Sequence, residues 1–167
     1  MANGLLFQKS NKSTQKLEDI GLQHVKELLS RYFFQEVGYR GDIFAFTMHD
    51  LLHDLSLYVS QNDYYLVENT NNTDNYEKAR HVSILDNNLS ANEVTMFLHK
   101  LSNNVRTIIF PREGLEQVNI NESLVETCIS RFKHLRLLDL RFSRLEALPS
   151  SISTLKHLRN LDLQHNE

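Results

Sequence analysis

Two histidines four residues apart, His49 and His53, with Asp50 between them, form the part of this chain best placed to do chemistry. On a helix that spacing puts both imidazoles on one face, as in the HExxH zinc site, where the glutamate serves as general base. Here an aspartate stands in place of that glutamate, its shorter arm would position a water poorly, and no third ligand is evident. A metal site is therefore not expected, and neither is an enzyme. The same residues suit a different task. A helix start carries unpaired backbone N–H groups and the positive end of the helix dipole, so His49 in a first turn would add a directional donor to a spot that already favours an anion. The single cysteine, Cys128, can form neither an internal disulfide nor a thiolate metal cluster, and it points to a reducing, cytoplasmic setting.

Residues 17–32, with Leu22, Val25, Leu28, Leu29 and Tyr32 at spacings of three and four, predict an amphipathic helix. Phe33–Val37 and Ile43–Phe46 read as two strands joined by a turn at Gly38–Gly41. Thr47 is the expected cap of a second helix, with Asp50 at its third position and Leu51, Leu52, Leu55, Tyr58 and Val59 on one face. Helix, hairpin, helix is a winged-helix-like arrangement. In other proteins such a unit reads DNA through a basic helix, but the helix after Thr47 carries no Lys or Arg up to Gln61. The net charge of −3 also argues against nucleic acid as a partner. The polar, Asn-rich run 61–78 is expected to be a linker, and no stretch approaches 18 apolar residues, so no membrane span is expected.

Beyond residue 79 the rhythm changes. His81–Leu85 and Val105–Phe110 are β-prone, with helices expected around Val94–Leu101 and Leu124–Phe132. KHLRLLDL at Lys133–Leu140 then recurs as KHLRNLDL at Lys156–Leu163, identical at seven of eight positions after 23 residues. Leu135, Leu138, Leu140, Leu145, Leu148, Ile152 and Leu155 reproduce the leucine-rich-repeat frame, with Ser143 at the usual Asn position. Leu158, Leu161, Leu163 and Asn166 restart it. A repeat of this kind cannot bury its leucines without a neighbour. The intervening residues, Leu137, Asp139 and Arg141, then Asn160, Asp162 and Gln164, are expected on the concave surface that such repeats use to bind protein. The second repeat has barely begun at Glu167, so the chain is expected to be a fragment. Residues 131–167 carry seven basic against four acidic residues and the remainder 11 against 17, an opposition of sign that suits attraction within a larger molecule.

FTMHDLLHDLSLYVSQND, residues 46–63, resembles the MHD motif that closes the winged-helix part of the nucleotide-binding (NB-ARC) region in plant disease resistance proteins of the leucine-rich-repeat, coiled-coil type. MANGLL at the start, LEDIG and KELLSRYFF before the hairpin, and ARHVSIL and VRTIIF after it resemble the same family, so the likeness covers essentially the whole chain. It implies a role in plant innate immunity. It also assigns His49 to the terminal phosphate of bound ADP in the resting receptor, with Met48 and Asp50 supporting the motif. Nothing in these residues matches the phosphate loop GxxxxGK[ST], so ADP or ATP is expected in an intact receptor and no cofactor for this chain alone. The expected partners are the nucleotide-binding domain of the same receptor and, through the repeats, a pathogen effector or host protein.

The fold expected is mixed α and α/β: a partial winged-helix unit at 1–60, a linker at 61–78, and the start of a leucine-rich-repeat solenoid at 79–167 with a regular repeat from 135. The alternative is a stand-alone repeat module, or a truncated copy with no nucleotide role.

Overall fold

The computed structural model describes residues 17–40, 43–60, 63–67, 76, 78–85, 89–111, 120–143 and 145–166. The chain divides into two compact units, one ending at Gln61 and the other running from Asn62 to Glu167.

The first unit contains helix α1 (Leu17–Ser30), strands β1 (Phe34–Arg40) and β2 (Ile43–Met48), and helix α2 (Asp50–Ser60). In α1 the apolar stripe is only partly covered: Val25, Leu28 and Leu29 are half-buried and Leu22 faces solvent, while Tyr32, expected in the helix, lies past its end and is exposed. The hairpin is antiparallel and longer than expected. Gly38, Tyr39 and Arg40 do not form a turn but pair with Ala45, Phe44 and Ile43, with an irregularity between Glu36 and Gly38 that absorbs the register shift. Thr47 does not cap α2. It stays in the ladder opposite Gln35, and the helix starts three residues later, at Asp50. Pairing at Thr47 satisfies backbone groups that a cap would have left to solvent, so the hairpin takes the residue.

In the second unit, among the described residues, five strands form one parallel sheet in chain order: β3 (Tyr64–Val67), β4 (His81–Ile84), β5 (Thr107–Ile109), β6 (Leu137–Asp139) and β7 (Asn160–Asp162). The stretch expected to be a bare linker thus supplies the first strand, with Tyr64 opposite His81 and Val67 opposite Ile84. From β4 onward, the register pairs His81 with Thr107, Thr107 with Leu137 and Leu137 with Asn160. Each strand therefore lies directly beside the one before it. Parallel neighbours need a crossover. Here the crossovers are helix α3 (Ala91–Lys100) after β4, helix α4 (Glu122–Arg131) after β5, and a short 3-10 helix at Ser150–Thr154 after β6.

The capping chemistry of α3 is complete: the Ser90 hydroxyl accepts from the Glu93 N–H while the Glu93 carboxylate accepts from the Ser90 N–H. The bonds that this carboxylate accepts from the Ser90 N–H and hydroxyl hold the exposed Glu93 carboxyl below its ordinary range. Helix α4 begins with the Asn121 side chain accepting from the Leu124 N–H. Both helices press their apolar faces on the sheet, Val94, Phe97 and Leu98 from α3 and Leu124, Val125, Cys128 and Ile129 from α4, against Val82, Ile84, Ile108, Leu138 and Leu140. Burial pushes the Cys128 thiol up to about 12, so it is a packing group in this core and not a nucleophile.

Equivalent positions superpose across the strands. His134 and His157, 23 residues apart, have ring centroids 5.4 Å apart, and Phe142 and His165, also 23 apart, stack at 4.2 Å with both backbones at positive φ. Asn166 ties the last two strands together. Its Oδ1 accepts from the Ser143 and Leu145 N–H groups, and its Nδ2 donates to the Leu140 and Leu163 carbonyls. Ser143, at the equivalent place one strand earlier, is buried and donates to Leu140 O over 2.6 Å. Asn166→Ala therefore strips partners from the amides of Ser143 and Leu145 and the carbonyls of Leu140 and Leu163, Ser143 and Leu140 being buried, and should lower unfolding free energy by about 1–2 kcal/mol in a denaturant titration. An unchanged midpoint would show that water replaces the amide at no cost.

Candidate functional site

The helix α2 terminus is built by a short-range competition. Because β2 runs through Met48, the chain has one residue, His49, in which to leave the strand and enter the helix. The His49 carbonyl accepts from the N–H groups of Leu52 and His53, each at 2.9 Å, so it opens the first helical turn. Its side chain is exposed, as is that of Asp50, which supplies negative charge in the first turn; Met48 is half-buried. His53 lies one turn on, with Nδ1 3.6 Å from the neighbouring Asp54 carboxylate. Among the described residues no group of three or more His, Cys, Asp or Glu is arranged to hold a metal ion. No α2 residue is buried. Of the face expected to be covered, Leu52 is half-buried, and Leu51, Leu55, Tyr58 and Val59 stand between 54% and 80% exposed.

The six repeat residues lie in two strands and the turns after them. Leu137 is opposite Asn160 and Asp139 is opposite Asp162. Alternation along a strand puts these pairs on the face away from Leu138. Asn160 and Gln164 are exposed, Leu137, Arg141 and Asp162 are half-buried, and Asp139 is buried. Two aspartates directly opposite would repel. Arg141 relieves this by bonding Asp139 at 2.6 Å and approaching Asp162 at 3.4 Å. The hydrogen bonds its guanidinium donates to the Asp139 carboxylate are the main reason it is held above the ordinary arginine range. Asp139 and Arg141 are therefore engaged with each other, and Asn160 and Gln164 are the exposed members.

A further group escaped the sequence reading. Arg80, Arg106, Arg136 and Arg159 each occupy the residue just before a strand, in β4, β5, β6 and β7. Their backbones are locked in a column: Arg106 N donates to Arg80 O, Arg136 N to Arg106 O and Arg159 N to Arg136 O, over 2.7–2.8 Å. Arg80, Arg106 and Arg136, with Asn104, His134 and His157, line an open groove of about 260 Å³. The signal was present as Ala-Arg, Val-Arg, Leu-Arg and Leu-Arg at 79, 105, 135 and 158, but the irregular spacing of the first two hid the shared phase.

His81, beside this column, has Nδ1 3.0 Å from the Thr107 hydroxyl. Its pKa is lowered from 6.5, first by burial and then by Arg106, Arg80 and Arg136, against an opposing pull from Asp63. A base whose folded pKa lies below its unfolded one binds fewer protons when folded, so stability falls as pH drops below about 6.5. His81→Gln should flatten the loss of stability between about pH 7.5 and 5.5. Parallel pH profiles for the two proteins would remove His81 from that account.

Residues 1–56 match the family model described as the disease resistance protein winged helix domain. The chain is 30% identical over 154 residues, 91% of its length, to a protein of Arabidopsis thaliana named for disease resistance, At3g14460. It is 31% identical over 152 residues to a Solanum bulbocastanum protein likewise named, RGA1, and 46% identical over 56 residues to disease resistance protein RGA2 of the same species. The chain belongs to the plant disease resistance protein family. It spans 10% and 12% of the length of the two relatives matched along most of it, and 6% of RGA2. Within the chain, α1, the β1–β2 hairpin and the start of α2 lie inside the matched winged helix domain, so His49 and Asp50 are domain residues and not connecting chain. No helix among the described residues is long and apolar enough to cross a membrane.

Proposed function

We propose that this chain serves in plant defence as the junction of a cytoplasmic immune receptor: its winged-helix unit forms one wall of an ADP site that holds the receptor at rest, and its parallel sheet begins a leucine-rich-repeat solenoid for protein recognition. The observation that carries the first half is the position of His49, exposed in the opening turn of α2 inside the winged helix domain. Its imidazole N–H and the adjacent first-turn amides suit a terminal phosphate. Residues that would complete the pocket, a phosphate loop among them, lie outside these 167 residues. ADP binding by this chain alone is accordingly not part of the proposal. Exchange of ADP for ATP would remove the contact and release the resting state.

The uncovered apolar face of α2 supports the same reading. Four large apolar side chains on one short helix are more than a free surface ordinarily carries, and a nucleotide-binding domain is the occupant proposed. For the second half, the support is the chain-order parallel sheet, the 23-residue superposition and the Asn166 network. Recognition of a pathogen effector or host protein would use the exposed Asn160 and Gln164.

The experiment places residues 1–167 in a full-length relative in place of its own matching segment and measures defence signalling without a pathogen. His49→Ala and Asp50→Val should each raise that basal signal. Basal activity equal to the parent in both variants would sink the resting-state role.

A further inference from the structure

The arginine column is under electrostatic tension that the described residues do not relieve. At one end Arg80 reaches the Asp63 carboxylate at 3.4 Å, but among the described residues Arg106, Arg136 and Arg159 have no carboxylate within 4.0 Å. Neighbouring strands are about 4.8 Å apart, and the backbone bonds fix the arginine Cα positions at that interval. The Arg136 guanidinium is pulled below its ordinary pKa by partial desolvation and then by Arg106 and Arg159 on either side. Side chains this long could swing away in a loop; here each is rooted in a sheet. His134, His157 and Asn104 add further donors along the same groove.

We propose that this groove binds a small soluble ligand carrying two or more phosphate groups. Guanidinium forks match phosphate oxygens bidentately, and a column of them rewards a ligand with several phosphates over one with a single charge. An acidic peptide fits less well. Its same-face carboxylates recur about every 6.8 Å in an extended chain, out of step with rungs at about 4.8 Å. A volume of about 260 Å³ also holds a compact molecule and not a folded partner. The site lies wholly in the second unit, away in sequence from His49, so it stands or fails independently of the proposed ADP contact.

The test is calorimetric titration of the 167-residue chain with inorganic tripolyphosphate at about 0.15 M salt, with orthophosphate, a Glu-rich hexapeptide and vesicles containing a phosphorylated inositol lipid as comparisons. Tripolyphosphate should bind, orthophosphate about tenfold or more weaker, and Arg136→Gln or Arg106→Gln should each weaken tripolyphosphate about tenfold. Lys100→Gln, the same charge change on α3, and His49→Ala should leave affinity within about twofold. Thermal midpoints without ligand confirm that each variant is folded. The proposal is overturned by absence of tripolyphosphate binding, by an equal loss in Arg136→Gln and Lys100→Gln, by a loss in His49→Ala as large as that in Arg136→Gln, or by the peptide or vesicles binding more tightly than tripolyphosphate.

Discussion

Phe97→Ala should lower the unfolding free energy of the second unit by about 3–5 kcal/mol. Phe97 is 2% exposed and stands where α3 meets the start of the sheet, its ring 5.8 Å from Tyr65 and 5.5 Å from Tyr76, which are themselves 5.3 Å apart. Truncation removes a large apolar surface and leaves a void beside two half-buried tyrosine rings. It also removes the ring on which Tyr65 of β3 stacks, so this strand loses one of its contacts with the helix. A denaturant titration read by far-ultraviolet circular dichroism measures the change. The adjacent Met96, 61% exposed, supplies the control: Met96→Ala should stay within about 0.5 kcal/mol of the parent. Equal effects at the two positions would mean that α3 does not pack on the sheet through this face.

Arg131→Ala should cost about 3 kcal/mol, by a different mechanism. The last carbonyls of a helix have no partners inside it. At the end of α3 those carbonyls are met from the next helix along the chain: Arg131 Nε donates to Leu98 O at 3.0 Å, and one terminal nitrogen donates to His99 O at 2.7 Å and to Leu101 O. One planar, permanently charged fork thereby closes α3 and joins it to α4, and the negative end of the helix dipole strengthens each bond. Arg131 is half-buried, so the figure is set below the sum of three charge-assisted bonds. Arg131→Lys should recover less than half of the loss, since a single ammonium cannot reach three carbonyls in that geometry. Full rescue by lysine would reduce the contact to simple charge attraction.

What could be read from the sequence follows from how local each feature is. The helices α3 and α4 appear in the 3.6-residue spacing of Val94, Phe97, Leu98 and Leu101, and of Leu124, Cys128 and Ile129, because those side chains face a sheet that covers them. The repeat at 135–166 was legible for the same reason: its leucines recur at a fixed interval. Strand β3 was not. Tyr64–Val67 is four residues long, lies among Asn and Asp, and becomes a strand only because its partner at His81–Ile84 arrives later in the chain. Gly38, a residue that usually marks turns, is carried into β1 by pairing with Ala45, and Thr47 is held in β2 by Gln35.

The candidate residues divide in the same way. His49 and Asp50 were legible as a motif at the start of a helix, and that is where they lie. Asp139 and Arg141 were expected to face a partner, but strand alternation says only which face a side chain is on, and the two are bound to each other. The arginine column was invisible for a complementary reason. Its members lie 26, 30 and 23 residues apart, and only the register that aligns Thr107 with both His81 and Leu137 reveals that they share one edge.

The resting-state role proposed for His49 is tested most directly by nucleotide content. A full-length relative carrying residues 1–167 in place of its own segment would be purified as the parent and as His49→Ala, and the ADP retained per molecule measured after identical dialysis. The parent should keep its ADP and the variant should lose it about tenfold faster if His49 donates to the terminal phosphate as proposed. Equal retention in the two proteins would contradict the role assigned to His49.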